Sequence, residues 1–177
     1  MKFRAIAVAM CCLVLATGQL LAQSGETNAP APAKPVMGPV SRLPLPRFVS
    51  LKASIGNVRR GPSRTHRVDW VFTRANMPLQ IIAEYENWRR VRDMDGAGGW
   101  MHYTLLSGTR TVFVLKDYTP LRLRPEVGSD PNAYAEHGVI ARLGSCVLGW
   151  CEVSAEGHDG WVLPSEIWGV DQNDFED

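Results

Sequence analysis

Beyond its N-terminal segment, this chain nowhere sustains an i, i+3, i+4, i+7 apolar pattern for three turns, so no amphipathic helix is expected. Apolar residues recur instead in short runs, at 48–51, 79–85, 88–92, 99–102 and 111–115. Asn87, the run Asp95-Gly96-Ala97-Gly98-Gly99 and Gly108 separate them. Runs of that length between Gly, Asn and Asp turns predict short β-strands in a sandwich or small barrel. Residues 59–76 are mostly polar and read as one long loop before Pro78 restarts a strand. Tyr103-Thr104-Leu105-Leu106, just after a Gly-Trp pair, predicts a single helical turn.

The pattern occurs twice. Trp88-Arg89-Arg90-Val91 followed by Gly99-Trp100-Met101 is matched by Trp150-Cys151-Glu152-Val153 followed by Gly160-Trp161-Val162. Lys52 and Lys116 end the preceding apolar runs, and the offsets between copies are 64, 62 and 61 residues. Each copy supports roughly five short strands, the size of a small closed barrel. The copies divide the chain at 47–110 and 111–177 and leave no room for a separate catalytic domain. They adjoin without a flexible linker, which predicts a fixed geometry between them. The second copy departs from the first in two places. Arg124-Pro125-Glu126 replaces the turn Arg59-Arg60-Gly61-Pro62, and Gly144-Ser145-Cys146 stands where the first copy has Ala83-Glu84-Tyr85.

Lys2 and Arg4 precede an apolar run at 5–15 and small or polar residues ending at Ala22. That is the layout of a cleaved signal peptide over 1–22. Thr17, Gly18 and Gln19 interrupt the run before the roughly 20 apolar residues a membrane span needs, so no stable membrane insertion of the mature chain is expected. Residues 23–46 hold Pro30, Pro32, Pro35, Pro39, Pro44 and Pro46 and read as an extended, disordered leader outside the fold. A periplasmic or secreted location follows from this reading.

Charge is divided between the copies. Residues 47–110 carry 11 basic and 5 acidic side chains, whereas 111–177 carry 4 basic and 12 acidic. Opposite fields favour docking of the halves on each other or attraction of a charged partner. Nucleic acid is not expected as a partner of an exported protein. Cys146 and Cys151 flank a short hairpin loop and are expected to form a disulfide in an oxidising compartment. A zinc site would need about two further ligands, and His137 and His158 lack a recognisable spacing. No metal or cofactor is expected. His66, His102, His137 and His158 are scattered over turns without a nucleophile beside them, so catalysis is not expected.

In order and spacing, Asn57-Val58-Arg59-Arg60-Gly61-Pro62, Met77-Pro78-Leu79-Gln80-Ile81-Ile82-Ala83-Glu84, Trp88-Arg89-Arg90-Val91-Arg92-Asp93, Gly99-Trp100 and Leu105-Leu106-Ser107-Gly108 resemble a bacterial SH3-like domain. The whole resembles the tandem SH3 domain-containing proteins exported by alphaproteobacteria. The resemblance implies an all-β chain of two tandem SH3-like small β-barrels after a signal peptide and Pro-rich leader. It places Trp88 on a groove beside the long first loop, with Trp150 as its match. Trp100 and Trp161 either flank these grooves or pack the barrels with their N–H satisfied locally, and Tyr103 extends the first platform. Strand alternation puts Arg90 and Arg92 on the side of Trp88. With Arg59 and Arg60 of the loop, they either grip carboxylates or form a solvated face. The implied function is a non-enzymatic module of the cell envelope that binds peptidoglycan or a short peptide. The alternatives are a scaffold for a Pro-rich or other envelope protein, and an accessory to a cell-wall hydrolase acting in trans. The Pro-rich leader lying in the protein's own groove is a further possibility the fold class allows.

Overall fold

The computed structural model describes residues 36–175, so the signal-peptide reading and leader residues 23–35 lie outside them. Its strands are β1 (Val36–Met37), β2 (Pro44–Leu45), β3 (Arg47–Leu51), β4 (Gly56–Arg59), β5 (Val68–Phe72), β6 (Pro78–Tyr85), β7 (Trp88–Arg92), β8 (Gly98–His102) and β9 (Leu106–Ser107). The second half continues with β10 (Thr111–Val114), β11 (Thr119–Arg122), β12 (Pro131–Ala135), β13 (Ile140–Val147), β14 (Trp150–Ala155), β15 (His158–Val162) and β16 (Ile167–Trp168). The predicted helical turn is a 3-10 turn at Tyr103–Leu105, matched by another at Pro164–Glu166.

The strands form two seven-stranded sheets of identical connectivity, β5-β4-β8-β7-β6-β3-β9 and β12-β11-β15-β14-β13-β10-β16. The strand that the polar 59–76 stretch concealed is β5, where Val68, Trp70, Val71 and Phe72 supply the β-branched and aromatic side chains that favour pairing. Each sheet buries a cluster of its own, with no second layer over it. Leu51, Val58, Phe72, Leu79, Ile81, Val91 and Met101 centre the first. Val112, Leu121, Leu143, Cys151, Val153, Val162 and Ile167 centre the second. A lone sheet that meets itself in one core must curl. Among the described residues no strand pairing joins its ends, so the curl stops short of the closed barrel expected from the sequence.

Glycine makes the curl possible where β8 crosses β4. A Cβ on Gly99 would lie 2.5 Å from the Arg59 carbonyl oxygen, and one on Gly160 would lie 2.6 Å from the Leu121 backbone. This is why both copies place Gly immediately before the exposed-face Trp.

The last part of the Pro-rich segment is not a spacer. β1 and β2 pair antiparallel, and the turn between them is held by the Glu84 carboxylate of β6. That carboxylate accepts hydrogen bonds from the N–H groups of Val40 (3.1 Å) and Ser41 (2.8 Å), the Ser41 hydroxyl (2.6 Å) and Arg47 Nη2 (2.8 Å). Arg89 Nε lies 3.4 Å from the same group. Burial alone raises the Glu84 carboxyl. Bonds from Ser41, Arg47 and Val40 outweigh that and hold it at about 2, against an ordinary 4.5. Prolines at the ends of such short strands leave their neighbours free to pair, and sequence composition alone concealed this.

In the second repeat the same position is filled by sulfur. Glu84 opposes Arg89 on β6–β7, and Cys146 opposes Cys151 on β13–β14, each one step before a two-residue hairpin turn. The cysteines form the expected disulfide. Pairing therefore aligns Cys146 with Glu84 and not, as the sequence offset suggests, with Tyr85.

The two repeats meet directly. Phe48 and Trp168 pack edge to face at 5.0 Å, Arg74 Nη2 donates to the Gly138 carbonyl at 2.7 Å, and Thr111 Oγ1 donates to the Asn76 carbonyl at 2.7 Å. Arg74 also lies over the Phe113 ring. The opposite charges of the halves contribute one ion pair among the described residues, Arg110 with Asp174 at 2.6 Å. The junction is therefore mostly aromatic and backbone-directed. β10 belongs wholly to the second sheet.

Candidate functional site

Residues opposite each other in an antiparallel pair share a face. Trp88 opposes His102, Arg90 opposes Trp100, and Arg92 opposes Gly98, while Trp100 also opposes Arg59. Val91 and Met101 alternate with these and point into the core. The outer face of β4, β8 and β7 thus presents Arg59, Trp100, Arg90, Trp88 and Arg92 together. Trp88 is buried and meets the His102 ring edge to face at 5.5 Å. Beside it opens a cleft of about 370 Å³ walled by Asn57, Arg59, Arg64, His102 and Thr104.

The arginines are not equivalent. Arg59 Nη1 donates to the His66 carbonyl at 2.7 Å and so braces the loop between β4 and β5. Arg60 and Arg67 are both tied to Asp69, at 3.1 and 2.7 Å. Hydrogen bonds from these two guanidiniums hold the Asp69 carboxyl below its ordinary value. Arg60 is thereby drawn into the loop's own ion pairs and does not line the cleft. Arg92 Nε donates to Gln80 Oε1 at 2.8 Å. Arg64 lines the cleft and Arg90 is exposed beside it, each without a carboxylate partner among the described residues. Tyr103 is 48% exposed, stacks beside His102 at 5.1 Å, and carries the Arg89 guanidinium over its ring.

A family model for the bacterial SH3 domain matches this chain twice, over residues 52–108 and 116–169. The chain belongs to the bacterial SH3 domain family. Each match falls within one of the two sheets, beginning just after its β3 or β10 strand, so the tandem arrangement expected from the sequence is present. No curated protein matches the chain. Among solved structures, NlpC2 from Trichomonas vaginalis is similar at 12% identity, with a TM-score of 0.32 over 71% of this chain and 50% of that one. NlpC1 from the same organism is similar at 11% identity and a TM-score of 0.32, over 75% of this chain and 49% of that one. This chain therefore spans about half the length of either. Superposition at that level carries no inference about activity.

The second bacterial SH3 repeat repeats the face with altered chemistry. Trp161 opposes Arg122 on one side and Glu152 on the other. Arg122 Nη1 donates to the Ser129 carbonyl at 2.7 Å, seven residues on, as Arg59 does to His66. This shared loop brace makes the strand-end Arg structural in both copies. Trp150 is buried like Trp88. The difference falls on β14, where Glu152 and Ser154 occupy the places of Arg90 and Arg92. A row reading Arg–Trp–Arg in the first repeat reads Arg–Trp–Glu in the second.

Sequence reasoning missed His102, Thr104 and Asn57 as cleft residues. His102 follows Trp100 at strand period, which was the available signal. Thr104 enters through the 3-10 turn, where its Oγ1 lies 2.8 Å from His102 Nδ1.

Proposed function

We propose that this protein is a non-enzymatic binding module of the cell envelope, exported through its N-terminal segment, whose first repeat holds peptidoglycan or a short peptide within it. The observation that carries this reading is the cleft beside Trp88. It combines an indole floor with Arg64 on its wall, which has no carboxylate partner among the described residues. An indole supplies area and a ring face, and guanidinium supplies planar, two-pronged recognition of carboxylates such as those of stem peptides. The hairpin of residues 36–46 docks at Glu84 and contributes no residue to this cleft, which leaves the face open to another molecule.

Co-sedimentation of the mature protein with purified sacculi tests the proposal. Wild type should pellet with the wall. Arg64→Ala should weaken binding and flatten its dependence on salt. Trp88→Ala should weaken it about tenfold or more, with Trp88→Phe as the variant that keeps the buried ring. Protein that stays in the supernatant, or unchanged binding by a folded Trp88→Ala, overturns it.

A further inference from the structure

The second repeat has a cavity at a place the first repeat fills, and strand pairing fixes the correspondence. Gly56 opposes Phe72 on β4–β5, and Thr119 opposes Ala135 on β11–β12, with the same register shift further along each pair. Ala135 therefore stands where the first repeat has Phe72. The pairings of β6 and β13 likewise set Ala141 against Leu79, and Val139 against Met77. Phe72 and Leu79 are buried in the first core, and Met77 packs against it. Their replacement removes a phenyl ring and most of a leucine side chain; at matched positions facing the core, Val58 to Leu121 returns one methylene and Gly56 to Thr119 adds a buried threonine side chain, which together are smaller than what is lost.

A cavity of about 390 Å³ opens at this end of the second sheet, floored by Leu121, Ala135, Val139 and Ala155. Its rim carries Tyr134, 61% exposed, with Glu136, Glu156 and His158. No Lys or Arg lines it. Neither rim carboxylate joins an ion pair among the described residues. Arg74 reaches the adjoining loop from the first repeat but is committed to the Gly138 carbonyl and the Phe113 ring.

We propose that this cavity binds a primary ammonium group carried on an aliphatic stem, of the lysine type. The apolar floor suits the methylenes, whose burial is favourable, and the exposed carboxylates suit the ammonium head left at the water boundary. An inorganic cation fits less well. Among the described residues no three His, Cys, Asp or Glu side chains are grouped to hold a metal, and an ion gains nothing from the floor. The site is on the other repeat from the Trp88 cleft and stands or falls without it.

The test is an NMR titration of the full mature chain with Nα-acetyl-lysine amide, following the Ala135 and Ala155 methyl resonances. Nα-acetyl-norleucine amide is the comparison that keeps the stem and lacks the amine. Saturable shifts are expected for the lysine compound, with the norleucine compound binding about fivefold more weakly. Ala135→Phe, which restores the first repeat's residue, should abolish the saturable shifts. Because that variant places a ring in a core, the double variant Glu136→Gln/Glu156→Gln, on exposed positions, gives an independent measure. It should bring lysine binding down to the norleucine level. Equal affinity for the two compounds, absence of saturation with the lysine compound, or unchanged binding by either variant overturns the proposal. Sacculus binding is measured separately, and its loss in Trp88→Ala is the reading that reports on the first repeat.

Discussion

Replacing Glu84 by Gln removes the charge that holds the N-terminal hairpin. The carboxylate side chain has no exposed surface and sits among two backbone N–H groups, one hydroxyl and two guanidiniums. A carboxyl that titrates at about 2 when folded and at its ordinary 4.5 when unfolded contributes roughly 3 kcal/mol to stability. Its folded value is depressed, so the contribution is complete above about pH 4.5 and is lost as pH falls through about 2. Removing one partner of a buried ion pair costs a similar amount, about 3–5 kcal/mol, because the guanidiniums remain buried without their counter-charge. For a fold of this size that corresponds to a drop of roughly 10 °C in Tm at pH 7. Urea unfolding of wild type and Glu84→Gln from pH 7 to pH 2.5 measures the difference directly. The gap should be constant near neutrality and narrow in acid. Limited trypsin digestion adds a local reading, since release of the hairpin exposes the bond after Arg42. A gap below about 1 kcal/mol at pH 7, or one that stays constant down to pH 2.5, refutes the assignment of Glu84 as the clasp.

Two further outcomes follow from the packing. Phe48→Ala removes the ring that meets Trp168 and lies under Arg110. It should cost about 3 kcal/mol and split a single calorimetric transition into two, one for each repeat, as the junction loosens. Replacing Cys146 and Cys151 by Ala, or reducing them, opens a loop of sequence separation 5 and should lower the stability of the second repeat by about 2 kcal/mol. Binding at the Trp88 cleft in the first repeat should be unaffected, which sedimentation with sacculi checks.

Much of this fold was legible because its signals are local. The duplicated Trp and Gly-Trp strands, the Gly-rich turns and the Cys146–Cys151 hairpin all declare themselves within about ten residues of sequence. β5 was hidden because its apolar residues are half exposed at a sheet edge and so lack strict alternation. The hairpin of residues 36–46 was hidden because what orders it is Glu84, some forty residues away, and composition reports only what a segment does alone. The face of the site followed from alternation along β7, which carried Trp88, Arg90 and Arg92 to one side as expected. Arg60, expected on the same groove, does not line the cleft and is instead paired with Asp69 of β5. The cavity beside Ala135 needed the register of both repeats, which no linear offset supplies.

The exchange of Glu84 and Arg89 for Cys146 and Cys151 also constrains the history of the duplication. Replacing Arg89 alone would leave Glu84 its bonds from Arg47, Ser41 and Val40, whereas replacing Glu84 alone would strip Arg47 and the 40–41 turn of their shared acceptor. The order of replacement therefore matters, the loss of the carboxylate being the costly step. Carrying the disulfide into the first half would thus cost that half its N-terminal hairpin, so the clasp and the sulfur bridge are alternative uses of one hairpin position.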